Sequence, residues 1–89
     1  MEYRLFNYME SSVEHVLPNM LAAFPDICTC DKCLMDIKAI ALNKLPAKYV
    51  VTETGEMYSR INEMYIQYET DIMKALVEAI AMVKKNSRH

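Results

Sequence analysis

The stretch from Thr54 to Lys85, TGEMYSRINEMYIQYETDIMKALVEAIAMVKK, sets the shape of the chain. Its Ile61, Tyr65, Tyr68, Ile72, Ala75, Ala79 and Met82 follow alternating steps of four and three, and Leu76, Ile80 and Val83 widen the stripe. This is the pattern of one apolar face along a long helix. Thr54 is placed to cap its start, Glu56 suits the positive first turn, and Lys84 and Lys85 suit the negative last one. A helix of about 27 residues at 1.5 Å each is about 40 Å long. A compact chain of 89 residues has a diameter of only roughly 31 Å, so the helix overhangs its own domain. Two arrangements answer this. One is a homodimer in which the stripe or a central helix is shared; the other is a monomer whose last helix breaks near Thr70 and folds back. The homodimer is preferred, because uncapped helices beyond about 25 residues generally belong to intermolecular packing.

Composition agrees. Hydrophobic residues make up 53% of the chain, a surplus for a domain whose core is limited by its size, and part of it is expected to cover a partner. One Gly and three Pro are too few turn residues for a many-stranded sandwich or barrel, and eight Met with plentiful Ala, Leu and Ile favour helices. The expected fold class is therefore all-α, with residues 1–89 as a single domain. Ten Lys and Arg against twelve Asp and Glu give a formal charge of −2, which lacks the field that coats nucleic acid. No apolar run reaches the roughly 18 residues of a membrane span, and the opening MEYRLFNYMESS has no basic region followed by an apolar one. The expected location is the cytoplasm.

Towards the N-terminus, Leu5, Met9, Val13, Val16, Met20 and Phe24 recur at helical steps, so Tyr3 to Phe24 reads as an amphipathic helix. Pro18 should kink or split it, and Pro25 should end it. In LMDIKAIALNKLP the polar strip is narrow, Asp36, Lys38 and Asn43, which predicts a central, buried helix. It should start near Asp31 and end near Asn43 or Lys44, ahead of Pro46. Tyr49 to Thr52 is the one strand-like run; it is expected as an extended connector, or paired with the same run in a second copy.

All three cysteines fall within Cys28-Thr29-Cys30-Asp31-Lys32-Cys33. In a cytoplasmic setting such clustering reads first as metal-binding or redox-active. A helix start at Asp31 places Cys30 and Cys33 beside unpaired amides and the positive end of the dipole, which favours thiolates, and thiolates suit tetrahedral zinc. The set is one ligand short, with Asp26, Asp31, His15, His89 or water as candidates for the fourth. Three reduced thiols without a ligand, or a Cys30–Cys33 thiol switch, are the alternatives.

The blocks CTCDKC (Cys28 to Cys33), ALNKLPAKYV (Ala41 to Val50) and GEMY (Gly55 to Tyr58) resemble the ComFB family of late competence development proteins. The resemblance spans Phe24 to Ile61. It implies a small helical homodimer associated with competence for DNA uptake and without enzymatic activity. It also implies zinc held by four cysteines, of which Cys28, Cys30 and Cys33 are present while the family's fourth, near the chain end, has no counterpart. A further implication is reception of a cyclic dinucleotide, cyclic di-GMP or cyclic di-AMP. For that ligand the candidate residues are Arg4, Lys44, Lys48, Tyr49 and Arg60: cations for phosphates and guanine edges, and a ring to stack on a base. The plainer alternative for Lys32, Lys38, Lys44 and Lys48 is a solvated helix face, and for the tyrosines it is packing.

The expected function is thus a non-enzymatic regulatory or binding module. An adaptor or DNA-binding accessory of the uptake machinery, using Lys84, Lys85 and Arg88, is the alternative. A metal-dependent enzyme is disfavoured, since no H-E-x-x-H or comparable general base accompanies the cysteines.

Overall fold

The computed structural model describes residues 2–53 and 57–86, with residues 57–62 and 64 described by backbone alone. The element order is β1 (Tyr3–Asn7), α1 (Tyr8–Leu21), α2 (Asp31–Lys44), β2 (Tyr49–Glu53) and α3 (Met57–Lys85). Strands β1 and β2 pair antiparallel, Leu5 opposite Val51 and Asn7 opposite Tyr49. The class is therefore α+β, and the all-α expectation is corrected. Tyr3 to Asn7 does not open the first helix: Leu5 and Met9 are four apart, as on a helix, but Tyr3 and Leu5 also share one face of a strand. Tyr49 to Glu53 finds its partner within the chain, at β1, so neither a bare connector nor a second copy is needed.

The junction of β1 and α1 is fixed by one side chain. Asn7 takes extended geometry and its Oδ1 accepts from the Met9 N–H at 3.1 Å, the usual service of a helix N-cap. The same oxygen accepts from the Lys48 N–H at 2.9 Å, and the Tyr8 N–H donates to the Lys48 carbonyl at 2.7 Å. Thus the chain just before β2 is tied to the start of α1. Helix α1 then runs through Pro18 to Leu21 without splitting. Its buried pairs Tyr8–Met9, Ser12–Val13 and Val16–Leu17 repeat every four residues, which lays one stripe against the core.

Helix α3 is unbroken over 29 residues, which at 1.5 Å each is about 44 Å. The molecule measures 44 × 24 × 21 Å, so the helix is its long axis, with no break at Thr70. The Thr54 cap and Glu56 lie outside the described residues, as does the Ile61 side chain. Helices α1 and α2 pack along α3, whose Ile72, Ala75, Leu76, Ala79, Ile80 and Val83 are buried. Met82, assigned to the stripe by spacing, is 47% exposed. The remaining buried residues are those the spacing assigned to the stripe, including Leu76, Ile80 and Val83 that widen it. Helix α2 buries only Cys33, Ile37 and Ala41, four residues apart, and leaves Met35 exposed. It is a flank of the core and not its centre.

Candidate metal centre

The cysteine loop follows a series of tight turns after α1, in which Ala23, Phe24 and Ile27 each donate to a carbonyl three residues back. Ile27 is buried, so the loop is pinned to the core just before Cys28. Cys30 is the N-cap of α2. It takes extended geometry, its carbonyl accepts from the Leu34 N–H at 3.0 Å, and its sulfur accepts from the Cys33 N–H at 3.5 Å. This is the helix start expected from the sequence. Because Cys33 lies one turn into the helix and Cys28 two residues before the cap, the three sulfurs converge within 4.8 Å of one another. None is in a disulfide; Cys33 is buried, Cys28 half-buried and Cys30 exposed.

The bond from the Cys33 amide, and after it the Cys28 side chain, lower the Cys30 thiol below its ordinary pKa, against a smaller opposing effect of burial. A thiol so biased is a better metal ligand, since the thiolate is the form that binds.

The set fits a thiophilic ion at three positions. Sulfurs about 2.3 Å from one zinc ion lie about 3.8 Å apart, a small contraction of the observed cluster. The fourth corner of a tetrahedron has no donor: among the described residues the cluster contains the three thiols and no His, Asp or Glu. Asp26 pairs with Lys84 at 3.4 Å. His15 lies edge-on to Tyr65, ring centroids 5.8 Å apart, and His89 is outside the described residues. The Asp26–Lys84 pair ties the cysteine loop to the end of α3 across a hollow of about 140 Å³ lined by Asp26, Ile27, Cys28, Val83 and Lys84. Sequence spacing could not have found it, because its partners are 58 residues apart.

Among the described residues of the candidate ligand set, Arg4 and Tyr49 are brought together, and Lys44 and Lys48 have other partners. Arg4 and Tyr49 line a common open groove of about 380 Å³ on the ribbon, beside Asn7, Glu10, Ser11 and Glu14. Lys44 is paired with Glu78 at 3.1 Å. The Lys48 ammonium sits 5.3 Å from the centre of the Tyr68 ring, a cation–π arrangement. The Arg60 side chain lies outside the described residues. Of the other lysines, Lys32 pairs with Asp36 and Lys38 with Glu14, so the local positive field read from the sequence is largely neutralised by carboxylates from α1, α2 and α3.

Fold and cluster together define a small α+β protein with a thiol centre on a helix N-terminus. Over residues 6–87 the chain matches the family described as late competence development protein ComFB, and it belongs to that family. It is 27% identical over 82 residues to the competence protein ComFB of Bacillus subtilis strain 168, covering 92% of this chain and 84% of that one. The solved structure of the late competence protein ComFB from Bacillus subtilis is similar at a TM-score of 0.79, with 25% identity and 96% of each chain covered. Among the described residues no helix is long and apolar enough to cross a membrane.

Proposed function

We propose that this chain is a non-catalytic regulatory or binding module of competence development, acting as a homodimer and braced by a metal ion at Cys28, Cys30 and Cys33. The observation that carries the reading is the convergence of the three thiols at the capped start of α2 in a chain of the ComFB family. Short domains gain much from such a staple, because their cores are small. Zinc is the ion the family resemblance implies, with water or an external ligand in its fourth position. Support for the homodimer comes from the apolar residues left on the surface. Tyr3, Leu5, Tyr49 and Val51 share the outer face of the ribbon, and each is more than half exposed. Ile66, Met73 and Val77 add a second exposed strip on α3.

The test is elemental analysis and native mass spectrometry of the same purified sample. Two chains with one metal ion per chain is the expected result; a metal-free monomer overturns the reading. Reception of a cyclic dinucleotide is the second reading, and the shared groove of Arg4 and Tyr49 favours it, while Glu10 and Glu14 on the same wall oppose an anion. Isothermal titration with cyclic di-GMP and cyclic di-AMP decides it: flat heats for both remove the nucleotide.

A further inference from the structure

We infer that the free edge of β1 is a docking site for an extended peptide carrying Lys or Arg at alternate positions with apolar residues between them. The inference rests on the reading of the chain as a binding module, and it names the class of partner.

Among the described residues the sheet has two strands, so β1 keeps one edge unpaired. The register, with the bond from the Tyr8 N–H to the Lys48 carbonyl, sets the phase of the ladder. Arg4 and Phe6 exchange bonds with β2, and the amides and carbonyls of Tyr3 and Leu5 point away from it. No other backbone group reaches them among the described residues. Natural edges are blunted by a proline, a bulge or a covering segment; β1 has no proline and pairs without a bulge.

The edge opens into the groove of about 380 Å³, with Arg4, Leu5, Phe6 and Asn7 on one side and Glu10 and Glu14 of α1 on the other. Successive strand residues point to opposite faces, so a hollow that touches all four follows the edge and not one face. Main-chain bonds give strand addition its affinity, and alternate side chains give it selectivity.

Charge selects the occupant. Glu10 is exposed and has no ion pair among the described residues. Glu14 meets Lys38 at 3.4 Å on the surface, a weak tie that a better-placed cation can replace. Against these two carboxylates the groove holds one cation, Arg4. An added strand turns alternate side chains towards α1, where Lys or Arg meets Glu10 and Glu14. Its other side chains fall beside Tyr3 and Leu5, which are 67% and 69% exposed, and apolar residues suit that position. A second copy of β1 is the poorer occupant. The two-fold axis of an antiparallel edge pair stands perpendicular to the sheet, so it brings two acidic α1 rims together on one side.

Titration of the full chain with two capped hexapeptides, (Lys-Val)3 and (Glu-Val)3, followed by calorimetry and amide hydrogen exchange, tests this. The Lys peptide should bind saturably and slow exchange of the Leu5 amide roughly tenfold or more, with no binding of the Glu peptide. Glu10→Lys changes an exposed side chain and should weaken binding roughly tenfold. Leu5→Pro removes an outward N–H while keeping the bonds to β2, and should abolish binding at unchanged circular dichroism. Absence of binding, equal binding of both peptides, or binding without protection of Leu5 overturns the edge site. A Leu5 amide protected before peptide is added, and released on dilution to monomer, gives the edge to a second copy and overturns it as well. Metal content and native mass of the same sample separate the two readings. A metal-loaded dimer that ignores the Lys peptide overturns the edge site alone, whereas a metal-free monomer that binds it overturns the braced dimer and leaves the edge site standing.

Discussion

The two ends of α2 are built on opposite plans. At its N-terminus, residues within one hexapeptide place three sulfurs within 4.8 Å; nothing distant is needed to make the donor set, and α3 only clamps it. At its C-terminus, the ribbon joins residues 3–7 to residues 49–53, and neither strand has meaning without the other. The first end is chemically specific and structurally local. The second is chemically plain, an apolar face with a groove beside it, yet it closes the fold. The contrast teaches that a site can be legible in a sequence whose topology is not.

If the ribbon end closes the fold, the largest effect should come from its buried anchor. Tyr8 is fully buried directly after β1, and Tyr8→Ala should cost about 3–5 kcal/mol by chemical denaturation; a loss under 1 kcal/mol would mean the ribbon end is dispensable. Asn7→Ala removes one oxygen that serves both the Met9 and Lys48 amides, and should cost about 1–2 kcal/mol. Smaller effects belong to the cysteine end once metal is stripped. There Cys30→Ser replaces one cap by a better one, and should leave metal-free stability within about 0.5 kcal/mol while reducing metal uptake. A large loss in the metal-free protein would show that the thiols brace the fold by themselves.

The two ends should also differ in their response to pH. Burial, first, and the neighbouring Tyr68 raise the Tyr8 hydroxyl above its ordinary value, with the Ser12 side chain opposing. The neutral phenol is thereby favoured in the folded state. Its contribution to stability is complete below the unfolded pKa of about 10 and is lost as pH rises through the higher folded value. Urea midpoints should fall above pH 10, and Tyr8→Phe should flatten that fall. Cys30 shifts the other way: its contribution is present above the unfolded thiol pKa and is lost as pH falls through the lower folded one. Alkylation of the metal-free protein should accordingly reach Cys30 at a lower pH than it reaches a free cysteine. The smallest expected effect on stability, under about 0.5 kcal/mol, is from Leu5→Lys with Val51→Lys on the outer ribbon face. The same pair should convert a dimeric native mass to a monomeric one if that face is shared between copies.

How far the sequence could be read follows from the range of the interactions. The start of α2 at Asp31 and its end at Lys44 were legible, because a cap, a dipole and Pro46 act within a turn. The approximate length of α3 was legible from one periodic stripe; its continuity through Thr70 is decided by the packing of α1 and α2 along it. Strand β1 was not: a five-residue segment supports helical and extended spacing equally well, and the choice is made by β2, whose hydrogen bonds come from more than forty residues away. The buried face of α3 was legible over Ile72, Ala75, Leu76, Ala79, Ile80 and Val83, with Met82 the one assigned member among the described residues that is largely exposed. In the candidate site the donor set was visible and its clamp was not. The Lys32–Asp36 pair spans one turn of α2 and was legible, whereas Glu14 opposite Lys38 and Glu78 opposite Lys44 were not; an ion pair between helices leaves no local mark.

The Asn7 side chain makes the first helix conditional. Its Oδ1 serves a neighbour two residues ahead and an amide 41 residues away, and the Tyr8 N–H beside it donates to the Lys48 carbonyl, so the hydrogen bonding at the start of α1 is complete only with the segment leading into β2 in place. A single oxygen thereby behaves as a coincidence gate: α1 gains its full start at the moment the chain has already threaded α2. Without that segment in place the oxygen serves one amide instead of two.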